Sequence, residues 1–108
     1  MWRRFDMTET ILNWVNICVK KDDEILLLNR QHDNFKGWIQ PGGKVEFPES
    51  FFEAARRELK EETGLTALNL ELKGISGFTN PSKKERYVYY DFLCTAFEGQ
   101  VRGNDHEG

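Results

Sequence analysis

Residues 43–65 read GKVEFPESFFEAARRELKEETGL, and this stretch decides the fold. Its second half is a helix by local signals alone. Ser50 followed three residues later by Glu53 is a capping box, in which hydroxyl and carboxylate each satisfy an N–H of the first turn. Ala54 to Glu62 are good or tolerable helix formers. Gly64 supplies the expected stop, so the predicted helix spans about residues 51–63.

The last turns of that helix oppose themselves electrostatically. Successive residues turn by about 100°, so Glu58, Glu61 and Glu62 share an arc of roughly 100°. Glu58 and Glu62 are like charges at i,i+4, destabilising by a few tenths of a kcal/mol. They also lie near the end where the helix dipole disfavours anions. Residues 49–63 hold five acids against three bases, so Arg57 and Lys60 relieve the repulsion only in part. Taken alone, this reads either as a solvated charged face or as three carboxylates fixed for a hard divalent cation, which takes oxygen ligands. Gly42 and Gly43 just upstream read either as an ordinary turn or as a place where backbone approaches a ligand closely.

The joint spacing separates these readings. Gly43, five residues, Glu49, seven residues, then Arg57-Glu58-Leu59-Lys60-Glu61-Glu62-Thr63-Gly64-Leu65 resembles the Nudix box, G-x5-E-x7-R-E-U-x-E-E-x-G-U, with U a bulky aliphatic residue. All nine constrained positions of the 23-residue window are met. Trp38, Pro41-Gly42-Gly43 and Glu46 also match the family's usual approach to the box. The resemblance is to Nudix hydrolases of the MutT-like, 8-oxo-purine nucleoside triphosphate diphosphatase type.

That resemblance implies hydrolysis of a phosphoanhydride bond in a nucleoside triphosphate or related derivative, with Mg²⁺ or Mn²⁺ as cofactor. An 8-oxo-dGTP-like substrate would yield the monophosphate and pyrophosphate. It implies Glu58, Glu61, Glu62 and the Gly42 carbonyl as metal ligands, with Glu107 as a late acidic ligand in competition with Glu98 and Asp105. Glu58, Arg57 and Glu61 are the implied catalytic residues: Glu58 activates water, and Arg57 orients the carboxylates. Glu49 stands behind them, held by Arg57. Trp38, Gly43, Lys44, Phe78 and Tyr89 are the candidate substrate contacts, with Phe35, Tyr87 and Tyr90 as further aromatic candidates. Ile39 stands where one branch carries an asparagine that contacts the oxidised base. Two alternatives stay open: a pyrophosphatase of ADP-ribose or another dinucleotide, and a non-catalytic nucleotide-sensing module.

Around the box the sequence predicts an α+β domain of order β-β-β-α-β-β with mixed strand pairing. Strands are expected over 11–19, 24–29, 38–40, 44–47, 68–72, 74–78 and 86–97, with loops at 30–37 and 80–85. Residues 1–108 read as one domain, with a loose segment at 1–9 and the possible lack of a C-terminal helix. Fifteen Lys+Arg against 18 Asp+Glu give a net charge of −3, which argues against a nucleic-acid polymer as partner. A small nucleotide needs only a local site. No apolar run approaches a bilayer span, and Met1 to Asp6 meets an acid before any apolar stretch, so neither membrane nor secretory signal is expected. Cys18 and Cys94, with no metal-binding spacing, read as reduced core thiols of a cytoplasmic protein. Monomer and homodimer are both compatible with the sequence.

Overall fold

A computed structural model describes residues 1–3, 8–32 and 35–102, except for the side chains of His32 and Phe35. Its centre is a mixed sheet of β1 (Thr10–Lys21), β2 (Glu24–Ile25), β5 (Gly42–Lys44), β7 (Glu71–Asn80) and β8 (Glu85–Cys94). The strands run in the order β2-β1-β8-β7, with β5 also on β1. β1 and β8 are parallel and the other pairs antiparallel, which is the mixed pairing expected. Helix α1 (Phe51–Thr63) packs on one face.

Period-2 alternation sets the two faces of the sheet. Val15, Ile17 and Val19 on β1 and Phe92 and Cys94 on β8 bury against Ala54, Ala55 and Leu59 of α1. The intervening residues, Trp14 and Asn16 on β1 with Tyr89 and Asp91 opposite them on β8, face the other way. The helix begins as its sequence dictates: the Ser50 hydroxyl accepts from the Glu53 N–H, and the Glu53 carboxylate accepts from the Ser50 N–H at 2.7 Å. It ends at Gly64, whose φ of 86° is the left-handed conformation a side chain would oppose.

Several strand expectations need correction. The expected loop at 30–37 is largely strand: β3 (Leu28–His32) and β4 (Phe35–Ile39) pair antiparallel on either side of residues 33 and 34, which lie outside the described ones. Backbone pairing made that hairpin without a hydrophobic period to announce it. The expected 24–29 strand is split, since Glu24 and Ile25 form a ladder with β1 while Leu28 and Asn29 belong to β3. Residues 68–70 are outside any strand, and 71–80 is one strand with an irregularity between Leu72 and Gly74. The short pair β6 (Thr66–Ala67) and β9 (Phe97–Glu98) is separate from β8. The 80–85 turn contains a 3₁₀ turn at Pro81–Lys83. Both cysteines are free thiols, but only Cys94 is buried, and Cys18 is half-buried on the other face. No helix among the described residues is long and apolar enough to cross a membrane.

Candidate active site

Arg57 is the hub of the site. Its Nε donates to Glu49 Oε2 at 2.9 Å and its Nη2 to Glu49 Oε1 at 2.7 Å, a two-point fork. Nη2 also donates to the Lys44 carbonyl at 3.0 Å. Nη1 donates to Glu58 at 3.0 Å and Glu61 at 3.2 Å. One guanidinium thus joins the helix, the loop before it and β5. Glu49 also accepts from the Glu46 N–H at 3.0 Å. Together, the Arg57 fork first and that backbone bond second, these hold its carboxyl down at about 2.

The acids of α1 diverge in environment. Glu58 and Glu62 side chains are only 13% and 17% exposed, whereas Glu61 is 59% exposed. Burial, reinforced by the Glu62 charge, pushes the Glu58 carboxyl above its usual range, and Arg57 offsets this in part. Burial does the same to Glu62, opposed by the Gly42 N–H and by Arg30. The Gly42 N–H donates to Glu62 Oε1 at 2.9 Å, tying the loop before the helix to its last turn. At Gly43 a Cβ would fall on the Glu58 carboxylate itself, so glycine there leaves the space that the carboxylate fills.

These carboxylates face a cleft of about 340 Å³ lined by Trp14, Asn16, Arg30 and Tyr89 as well as Glu58 and Glu62. Trp14 and Tyr89 stack along its sheet wall with centroids 6.3 Å apart. Phe78 continues the aromatic strip 6.0 Å from Tyr89 and 4.7 Å from Tyr87, but is 56% exposed on the edge strand. Asn16 donates to Asp91, which also accepts from Ser76, at 3.3 and 3.2 Å. Ile39 and Gly43 line the cleft as well.

Other candidates fall elsewhere. Trp38 is 65% exposed on β4 and does not line the cleft. Lys44 contributes its carbonyl to Arg57, while its side chain is exposed. Tyr90 stacks on Phe51 at 3.8 Å, packed against the core on the helix side of the sheet. The Phe35 side chain and Asp105 and Glu107 lie outside the described residues. Trp14, Asn16 and Arg30 escaped the sequence reading. For Trp14 and Asn16 the available signal was the alternation of β1, which sets them opposite the core-facing Val15 and Ile17.

The donor set fits a hard cation in chemistry: oxygen ligands, two of them buried with excess negative charge, on a rigid helix. Among the described residues, no three Asp, Glu, His or Cys groups already converge tightly enough to grip an ion. Their oxygens are instead turned onto Arg57, Arg30 and the Gly42 N–H.

A NUDIX domain model matches residues 12–108, and the chain belongs to the Nudix family. Its backbone resembles the crystal structure of a MutT NUDIX hydrolase from Burkholderia pseudomallei, with 28% identity and a TM-score of 0.78 over 89% of this chain and 75% of that one. Among curated relatives, an ADP-ribose pyrophosphatase of Methanocaldococcus jannaschii is 34% identical over 84% of this chain and 54% of its own length. An 8-oxo-dGTP diphosphatase of Haemophilus influenzae is 44% identical over 60% of this chain and 46% of its own length. The chain therefore spans about half the length of these two relatives.

Proposed function

We propose that the chain is a divalent-metal-dependent pyrophosphohydrolase of nucleoside triphosphates, acting in the cytoplasm on an 8-oxo-dGTP-like substrate and releasing the monophosphate and pyrophosphate. The observation that carries this is that Glu58 and Glu62, largely buried and only partly relieved by Arg57 and Arg30, line the same cleft as a stacked Trp14–Tyr89 pair. Carboxylates suited to cations and aromatic faces suited to a base answer to the two ends of a nucleotide.

Glu58, Glu61 and Glu62 would hold Mg²⁺ or Mn²⁺, which when bound neutralises phosphate charge and acidifies water. Arg57 fixes the carboxylates by tying Glu58 and Glu61 to Glu49 and the Lys44 carbonyl. Glu58 takes the proton from the attacking water: its carboxylate is largely withdrawn from solvent, feels the Glu62 charge and fills the space that Gly43 leaves. Tyr89 and Phe78 offer ring faces to the base. The ADP-ribose reading has one specific support, the archaeal relative above.

The test is product analysis across nucleoside triphosphates, 8-oxo-dGTP and ADP-ribose, with and without Mg²⁺. Metal-dependent pyrophosphate release from the triphosphates, greatest with the oxidised one, is expected. Cleavage of ADP-ribose alone would move the assignment to dinucleotides. Binding without turnover on every compound would leave a sensing module.

A further inference from the structure

Two arginines neutralise the carboxylates of the cleft, and they do so unequally. Arg57 is held at distances from 2.7 to 3.2 Å by Glu49, Glu58, Glu61 and the Lys44 carbonyl. Arg30 on β3 approaches Glu62 with Nη2 3.6 Å from Oε2, too far for a strong hydrogen bond. The Arg30 Nε is buried with no partner among the described residues. Glu62 is therefore asymmetric: Oε1 is fixed by the Gly42 N–H at 2.9 Å, while Oε2 faces a loosely held cation. Arg30 also comes from the β3–β4 hairpin, which forms its own two-stranded sheet, so it can withdraw without disturbing the central one.

We infer that Arg30 is a displaceable counter-ion of Glu62, neutralising it in the metal-free protein and competing with the divalent cation for Oε2. This rests on the metal-dependent reading proposed above. A guanidinium and a divalent cation on the same carboxylate oxygen lie within a few ångströms and repel, so each weakens the hold of the other. Taking up the metal at Oε2 of Glu62 therefore favours withdrawal of the loosely held Arg30. Arg57 is not in this position, since its fork on Glu49 survives whatever happens at Glu58 and Glu61. Metal affinity is accordingly set below what the carboxylates alone would give, by the strength of the Arg30 contact.

The experiment is Mn²⁺ titration followed by the electron paramagnetic resonance of the free ion, at fixed pH and ionic strength. The proteins are wild type, Arg30→Gln, Arg30→Met and Arg30→Lys. A partly exposed ion pair corresponds to about a two- to fivefold effect. Arg30→Gln and Arg30→Met should bind Mn²⁺ about threefold tighter, and Arg30→Lys should stay near wild type. In a Glu62→Gln background Arg30→Gln should change nothing, because the contested oxygen no longer carries charge. The metal-induced rise in Tm should be larger for Arg30→Gln than for wild type. Unchanged or weaker Mn²⁺ binding in both neutral variants, with wild type binding normally, overturns this inference alone. Wild-type protein that takes up no Mn²⁺ overturns the metal reading and this inference with it.

Discussion

Replacing Arg57 by Gln should be the most damaging single change to the fold of this site, and by a calculable amount. The side chain loses its two-point fork on Glu49 and its contacts to Glu58, Glu61 and the Lys44 carbonyl. A hydrogen bond to a charged group contributes about 1.5–3 kcal/mol when well shielded. Exposed pairs such as the one to Glu61 contribute well under 1 kcal/mol. Counting the fork on Glu49 as the main loss, and discounting for a partly solvated setting, gives about 2 kcal/mol. With a urea m-value of about 1–2 kcal/mol/M, the midpoint should fall by about 1–2 M. The cost has a definite pH dependence. The Glu49 carboxyl is pulled down to about 2 in the folded protein, below its unfolded value. The stabilisation is therefore complete above the unfolded value, near 4, and is lost as pH falls through about 2. Urea melts followed by circular dichroism at pH 7 and near pH 2.5 should show a large difference between the proteins at the first and a small one at the second. A cost below about 0.5 kcal/mol at pH 7, or one undiminished by acid, would refute the assignment of Arg57 as the structural hub.

Three further outcomes follow from the same geometry. Glu62→Gln should leave the metal-free protein as stable or slightly more so at pH 7, while nucleotide hydrolysis collapses; a Tm lower by several degrees, or near-normal turnover, contradicts it. Its sign follows from the raised Glu62 carboxyl, whose favourable contribution exists below the unfolded value and is lost as pH rises through the folded one. Gly43→Ala places a methyl on the Glu58 carboxylate, so it should retain secondary structure by circular dichroism but weaken Mn²⁺ binding at least tenfold; unchanged binding would show that Glu58 need not sit there. Mg²⁺ or Mn²⁺ should raise Tm with concentration, by about 1.4 kcal/mol of stability per decade above Kd, and a flat series against an ionic-strength control counts against the metal site.

What was legible in the sequence was local. The capping box at Ser50 and the stop at Gly64 fix α1 at residues 51–63, because both signals act within one turn of the helix. Spacing within that helix then places Glu58 and Glu62 on one side, whereas the pairing of Arg57 with Glu49 is implied only by the resemblance to the Nudix box. What was not legible depended on strand register. Trp14 and Tyr89 meet because β1 and β8 pair in parallel, and no local pattern encodes which strand lies beside which. Arg30 reaches Glu62 from a hairpin whose polar residues carry no hydrophobic alternation. For Trp38, aromatic character favours a strand but does not say whether the ring lines the cleft, and here it is 65% exposed outside the cleft lining.

The end of α1 shows how the chain tolerates a charge arrangement that helix physics opposes. Arg102 donates to the Lys60 and Glu61 carbonyls, both at 2.6 Å, placing a cation where the dipole is negative. Arg57 neutralises Glu49 fully and Glu58 and Glu61 in part, and Arg30 approaches Glu62 without closing on it. Compensation is thus incomplete at the acids of α1, and burial makes that incompleteness count at Glu58 and Glu62. The carboxyl groups record this: Glu49 is driven down to about 2, while burial drives Glu58 and Glu62 up. Acids separated in this way have separate tasks. Glu49, ionised at neutral pH, belongs to the scaffold that holds Arg57. Glu58 and Glu62 carry the residual repulsion, and a divalent cation between them would relieve it by favouring the ionised form of both. On the proposed metal-dependent reading, the repulsion that weakens the metal-free helix end would be what draws a cation to the cluster, so a chain stabilised by removing it would lose the site.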